Sequence, residues 1–455
     1  LYTNRCGKPV DELWTNLGPE VINISYTGSR SIIHRVIQID FSSISAFLTG
    51  FSTYPQPLRL RLRIFTIFFL YKQTHQTVRK GELSTIMKLV FDKADLVKSV
   101  GIAMKAVSGK TTMPILECIL IDASSNVIKF TSNDMELGIE TIVTGMILER
   151  GIVALDAKIF SEIVRKLPDN QVTIETDENL VTTITCEKAK FNIPGQSGED
   201  FSYLPILETS DCVSISQFTL KELIRQTIFS IAANENNKLM TGELFEIKDN
   251  TLRVVSLDGH RIAIRRIELK DSYPDRKVVV PGKTLNEISK ILSGEMDDQI
   301  DIYFSENHIM FKLDDTTVVS RLIDGEYFRI DQMLSSDYEI KVTINKKEFL
   351  SCIDRATLLV KEGDKKPIII DIQDGAMELQ INSAMGSMKE EIDINKEGKD
   401  IMIGFNPKFL IDALRVIDDE EISIYLVNPK APCFIRNEEE SYIYLILPVN
   451  FNSVR

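Results

Sequence analysis

The chain has 455 residues, with 53 Lys and Arg against 66 Asp and Glu, a net charge of −13, and 44% of its residues are hydrophobic. That length exceeds one compact core and asks for several domains, while the acidic balance argues against a protein that coats nucleic acid through bulk positive charge. Six scattered cysteines with no C-x-x-C pair exclude a zinc ribbon and a disulfide framework and suit a reducing cytoplasm.

Residues 1–86 hold 10 Lys and Arg against 5 Asp and Glu, contain the single tryptophan, Trp14, and show no sustained helical or strand period. Their strongest apolar run, IFTIFFLY at 64–71, is far shorter than the roughly 20 residues of a membrane helix. No membrane span is expected. At Met87 the pattern changes to clean alternation, MKLVFDKADL. We read Met87 as the start of the native protein and 1–86 as a non-native or disordered leader. The remainder, 87–455, carries 43 Lys and Arg against 61 Asp and Glu, net −18.

From Met87 the chain repeats three times. The segments KADLVKSVGIAMKA, LKELIRQTIFSIAA and KKEFLSCIDRATLL place Leu96, Leu223 and Phe349 at intervals of 127 and 126. A second set, DAKIFSEIVRKL, PGKTLNEISKIL and NPKFLIDALRVI, places Phe160, Leu285 and Leu410 at intervals of 125. All six segments have apolar residues at helical spacing, and alternating runs such as QVTIETDENLVTTITCE follow them, which suit antiparallel strands. The expectation is an α+β chain of three domains, 87–208, 209–335 and 336–455, each with two helices covering one side of its sheets.

Lys158, Lys283 and Lys408 share one repeat position in the first turn of the second helices. A cation there opposes the helix macrodipole, so helix stability does not explain the choice. Further basic residues, Lys93, Lys98, Lys105, Lys221, Arg225, Lys346, Lys347 and Arg355, fall on or beside the first helices. They fit either a solvated helix face or a positive lining that meets phosphates without reading sequence.

The run VVSLDGHRIAIRR at 254–266 sets His260 beside Asp258, Gly259 and Arg261, residue types that active sites favour. A hydrolase on His260, Asp258 and Ser256 lacks a nucleophile elbow, and no H-E-x-x-H or Cys/His cluster offers metal ligands. The GKT tails at Gly109 and Gly282 lack the earlier glycine of a phosphate loop, having Met104 and Lys277 there. Direct catalysis, a metal and a cofactor are not expected. The His260 position is Glu136 in copy one and Met385 in copy three, so the repeat itself does not require histidine.

Ordered landmarks, MPIL at 113–116, LDGHRIA at 257–263, VVVPGKTLNEI at 278–288, LIDGEY at 322–327, GFNPKFL at 404–410 and YLILPV at 444–449, give 87–451 a resemblance to the bacterial replication sliding clamp, the β subunit of DNA polymerase III. The resemblance implies the DNA clamp fold: a head-to-tail homodimer closing as a six-domain ring around double-stranded DNA, bound without regard to sequence. It implies a non-catalytic processivity subunit that acts in the polymerase III holoenzyme in the cytoplasm. Lys110 and Lys283 match DNA-contact positions, to which the repeat adds Lys158, Lys408 and Arg225. Phe191 and Ile193 would pack against Leu358 and Leu359 of a second copy.

By the same resemblance, a cleft between domains two and three takes short hydrophobic peptides from the replicative polymerase α subunit, the clamp loader, other polymerases and repair proteins. Its residues would be Met240, Leu257, Gly259, His260, Arg261 and Ile262 from domain two, with Asn406, Phe409, Ile446, Leu447, Pro448 and Val449 from domain three. The chain departs from the family at FRIDQML (328–334), where a proline-containing segment is usual, and at Asn450, where arginine is common. A β-rich scaffold that never meets DNA is the alternative of a different class.

Overall fold

The computed structural model describes residues 87–109, 111–207, 212–233, 237–334, 337–360 and 366–451. The expected leader 1–86 and Lys110 lie outside them, and the structure says nothing of either.

Polar residues at strand ends start five of the six helices that the periodicity predicts. Strand Met87–Asp92 ends on Asp92, whose carboxylate accepts the Ala94 amide at 2.9 Å and opens α1, Lys93–Ala103. Asp156 does the same for α2, Ala157–Lys166, and Ser216 for α3, Gln217–Arg225. Helix α4, Gly282–Ser289, follows Pro281 and has no side-chain cap. Asn345 opens α5, Lys346–Thr357, and Asn406 opens α6, Pro407–Val416. Each cap satisfies an amide that the first helical turn leaves without a partner.

The helices pack in pairs, α1 on α2, α3 on α4 and α5 on α6. Each buries its apolar stripe, including Leu96, Phe160, Leu223, Leu285, Phe349 and Leu410. Three separate cores form beneath these pairs.

Domain two differs from domain one in the length of its strands. Its central strands are continuous, Gly242–Leu257 and Arg261–Pro281, where domain one uses Cys118–Asp122, Ile128–Asn133, Leu137–Val143, Met146–Glu149 and Ile152–Asp156. The ladder of the long pair slips around Asp249, whose φ of 53° marks the irregularity.

Sheets do not stop at the domain limits. Strand Thr316–Arg321, the last of domain two, pairs antiparallel with Leu137–Val143 of domain one, with Thr316 opposite Thr141 and Ser320 opposite Leu137. Strand Tyr442–Ile446, the last of domain three, pairs in the same way with Arg261–Pro281, with Tyr442 opposite Arg265 and Ile446 opposite Arg261. Since Glu136 and His260 share a repeat position, Thr141 and Arg265 do too. The two joints therefore use one register.

Helix ends reinforce both joints. Ile102 and Ala106, at and just beyond the end of α1, pack into the domain-two core, and Phe229, just after α3, packs into the domain-three core. The Thr141 and Thr316 hydroxyls add a buried hydrogen bond of 2.9 Å across the first joint.

Candidate functional site

The second joint brings the sequence-picked cleft residues together. The turn after Leu257 needs a residue at φ +87°, which Gly259 supplies without a side-chain penalty. Asp258 fixes that turn by accepting the His260 and Arg261 amides at 3.0 and 3.2 Å. His260 is exposed and stacks on Phe409, in the first turn of α6, with ring centroids 6.0 Å apart. Its carbonyl accepts the Leu447 amide at 2.9 Å, which ties the turn to the C-terminal segment.

Arg261 is the hub. Its guanidinium reaches Asp258 at 3.0 Å, Asp412 of α6 at 2.7 Å and the Phe229 carbonyl at 2.6 Å. It also lies over the Phe409 ring, 4.6 Å from the centroid. The side chain is 8% exposed, so its charge is held by paired carboxylates in a poorly hydrated place. It is thus a structural cation between two domains.

The apolar floor joins Leu257, Ile262 and Ile264 with Leu445, Ile443, Phe434 and Tyr327 in one cluster, against which Met240, Phe328 and Leu334 pack. Ile446 is buried and paired with Arg261 in the ladder. Leu447 and Val449 remain 37% and 36% exposed, with Pro448 half-buried between them. Val449 is held by its amide, which donates to the Gly404 carbonyl at 2.8 Å. Asn406 serves as the α6 cap. The altered segment keeps an apolar wall, since Phe328 packs edge-on to Tyr327 at 5.6 Å, and Met333 is half exposed. Such a floor with exposed apolar lips and few polar groups is the chemistry of side-chain capture.

Sequence reasoning overlooked three supports, Asp412, Phe229 and Tyr327. Asp412 lies 151 residues from Arg261, and no local pattern points to it. Phe229 carried a usable signal, because it aligns with Ile102, an apolar residue on a helix face otherwise open to solvent.

The basic candidates differ in how free their charges are. Lys158 and Lys408 are exposed at the starts of α2 and α6 and form no ion pair among the described residues. Lys283 is exposed but paired with Asp134 of domain one across the first joint. Arg225 contacts both Glu222 and Asp418, the latter at 2.8 Å, and so binds the end of α3 to domain three. These two carboxylates favour the protonated guanidinium, its side-chain bond to Glu222 most of all.

Of the apolar dimer candidates, Phe191 is 40% and Leu358 75% exposed. Ile193 is nearly buried, and Leu359 packs at the edge of the domain-three core, close to Gly386. No group of His, Cys, Asp and Glu among the described residues is arranged to hold a metal ion, and no described helix is long and apolar enough to cross a membrane.

Fold and cleft together define a three-domain chain of the DNA clamp class. Residues 87–205 match the N-terminal domain of the DNA polymerase III beta subunit, 214–328 its central domain and 331–450 its C-terminal domain. The chain is 33% identical over 375 residues to the beta sliding clamp of Staphylococcus epidermidis, covering 80% of this chain and 99% of that protein. Among solved structures it is similar to a putative DNA polymerase III beta subunit from Eubacterium rectale, at 71% identity and TM-score 0.79, and to the DNA polymerase sliding clamp from Bacillus subtilis, at 35% and 0.77. Each alignment spans 80% of this chain and all of the other. The chain belongs to the bacterial DNA polymerase III beta subunit family, the sliding clamps.

Proposed function

We propose that two copies of this chain close head to tail into a ring around double-stranded DNA, and that the cleft between domains two and three tethers the polymerase and its helpers. The observation that carries the ring is the repeated joint. Domain one offers strand Leu137–Val143 to the last strand of domain two, and domain two offers strand Arg261–Pro281 to the last strand of domain three. Among the described residues, this leaves one unused edge of each kind. Strand Gly386–Asp393, the equivalent of Leu137–Val143, ends its sheet unpaired on one side. Strand Ala189–Gln196, the equivalent of Thr316–Arg321, pairs there only through Gly195 and Gln196. Applying the same register between copies sets Ala189 opposite Glu390, Phe191 opposite Met388 and Ile193 opposite Gly386. Leu358 and Leu359 then stand where Lys105 and Ala106 stand at the first joint, beside the incoming domain. A heterologous contact that closes by rotation gives a ring and covers both of these edges.

In this reading the domains are 87–208, 209–335 and 336–455, and the helices line the hole. Lys158 and Lys408 meet phosphates loosely enough to slide, with Lys110 and Lys283 as further contacts and Arg225 chiefly a brace. The chain does no chemistry itself. It acts in the cytoplasm, in a holoenzyme whose polymerase α subunit makes the bonds, and the α subunit, the clamp loader, other polymerases and repair proteins dock short hydrophobic peptides in the cleft. Tethering raises local concentration and turns a weak contact into long residence.

The test is topological. Protein placed on circular DNA by a clamp loader should stay while the circle is closed and leave once it is cut; retention on linear DNA would reject the ring. Replacing His260 and Pro448 by alanine should weaken peptide binding and spare the dimer, and unchanged affinity would reject the cleft assignment.

A further inference from the structure

Glu243 is fully buried, and neither of its carboxylate oxygens has a hydrogen-bond partner among the described residues. The repeat makes this unusual. Gly242 pairs with Pro281 ahead of α4 as Cys118 pairs with Asp156 ahead of α2, and Ile368 pairs with Phe405 ahead of Asn406 and α6. Glu243 therefore stands where the other copies have Ile119 and Ile368, both core residues. The fold accepts isoleucine at this position, and only the domain-two copy has an acid.

Strand alternation points Glu243 to the helix side of the sheet with Phe245 and Ile247, while Leu244 faces the cleft cluster. Above it lies the segment that follows α3. Thr227 is the polar neighbour that favours its charge, but the Thr227 hydroxyl donates to the Leu223 carbonyl at 2.6 Å. This segment supports the cleft at two points. The Phe229 carbonyl accepts from Arg261 at 2.6 Å, and the Ala232 amide donates to the Met240 carbonyl at 2.8 Å. Ser256 anchors it from below, its hydroxyl donating to the Thr227 carbonyl at 2.6 Å.

We propose that Glu243 is a proton-controlled latch: as the neutral acid it lets residues 226–233 seat on the sheet and hold Arg261 and Met240 in place, and its ionisation lifts that segment and loosens the grip on a partner peptide. Burial without a compensating cation drives its pKa from 4.5 up to about 8. Tyr327, which burial holds protonated, is electrostatically coupled to it; of the elements nearby, α3 carries the paired Glu222 and Arg225, the latter bound to Asp418, and the second joint carries Tyr444 and the Asp258, Arg261 and Asp412 hub. Tyr327 and Tyr444 are held protonated well above this range, and the charged groups are already paired.

The inference rests on the peptide-cleft reading. Its test compares the full chain with Glu243→Gln, which stays neutral, and Glu243→Ile, the residue of the other copies. Hydrogen exchange of 226–233, corrected for intrinsic rate, should show an opening constant that rises about tenfold per pH unit between pH 6 and 8 in the wild type, since opening releases one proton there, and stays flat in both variants. Affinity for a fluorescein-labelled hydrophobic pentapeptide should fall about tenfold between pH 7 and 9 in the wild type alone, following the neutral fraction. Parallel profiles in all three proteins, with binding retained, would overturn the latch and leave the cleft standing. Absence of peptide binding in every form at every pH would remove the cleft, and the latch with it.

Discussion

The Arg261 hub makes a quantitative demand. The guanidinium bonds to one carboxylate in its own domain, one on α6 and one backbone carbonyl, at 3.0, 2.7 and 2.6 Å. Arg261→Met strips the cation from two carboxylates that are themselves only 14% and 20% exposed, a change that costs about 3–5 kcal/mol at a buried pair. Asp412→Asn keeps the shape and converts one charge-assisted bond into a neutral one, costing about 1–2 kcal/mol. The double variant should cost less than the sum, because a neutral amide at position 412 no longer needs the cation; a coupling of about 1–3 kcal/mol is expected for residues in contact. The cycle is to be read in the affinity for a labelled hydrophobic peptide, where each 1.4 kcal/mol is about tenfold, and in urea denaturation followed by circular dichroism. Additivity within about 0.5 kcal/mol in both readouts would mean that Arg261 does not join the domains energetically, and the description of the cleft as a joint would be wrong.

Other expectations follow from the same geometry. Phe191→Asp and Leu358→Asp should each convert the dimer to monomer in sedimentation while circular dichroism stays unchanged, because both side chains are exposed in the single chain. Lys158→Glu with Lys408→Glu removes four lysines from a two-copy ring and should lower the salt slope of DNA binding by up to about four units while leaving peptide affinity intact, whereas Lys283→Glu should also weaken the first joint by setting a carboxylate against Asp134. For Glu243→Ile the sign follows from a folded pKa raised from 4.5 to about 8: the unfolded chain releases the proton first, so the wild type loses stability relative to the variant across that window, by up to about 5 kcal/mol, and denaturation midpoints should diverge with rising pH until about 8. Midpoints that stay parallel would show that the carboxyl is not neutral in the fold.

What was legible in the sequence was whatever repeats. The positions of α1 to α6 follow from apolar spacing at one repeat period, and the Asp-Gly pair at 258–259 between alternating runs is itself a turn signal. The cleft residues were reached through quoted motifs, and His260, Arg261, Ile262, Phe409, Ile446 and Leu447 meet at the second joint. Illegible were interactions made across the fold. Nothing near Lys283 announces Asp134, and nothing near Arg225 announces Asp418, so residues that read as free positive charge prove to be paired across the joints. Glu243 was hidden differently: in GELFEIK it reads as an ordinary strand glutamate, and only the register that aligns it with Ile119 and Ile368 exposes the anomaly. The continuous strands of domain two were also missed, since local alternation does not tell a bend in a strand from a break.

The joints share one register but not one chemistry, and the difference bears on where a ring would open. At the first, Asp134 in the domain-one turn holds Lys283 of the next domain. At the second, Asp258 in the same turn holds Arg261, which reaches Asp412. The hairpin registers align both aspartates with Ser383 in domain three, which has no charge to offer the partner subunit's Lys158. In the proposed dimer the joint between copies would then lack this particular ion pair, which makes it the easier of the three for a loader to part. Ser383→Asp should restore the missing partner and stabilise the closed dimer, by up to about 1 kcal/mol for a half-exposed pair, seen as slower subunit exchange at low salt that disappears at high salt. Exchange insensitive to this substitution would mean that the third joint does not copy the first two, and the register transferred between copies would have to be abandoned.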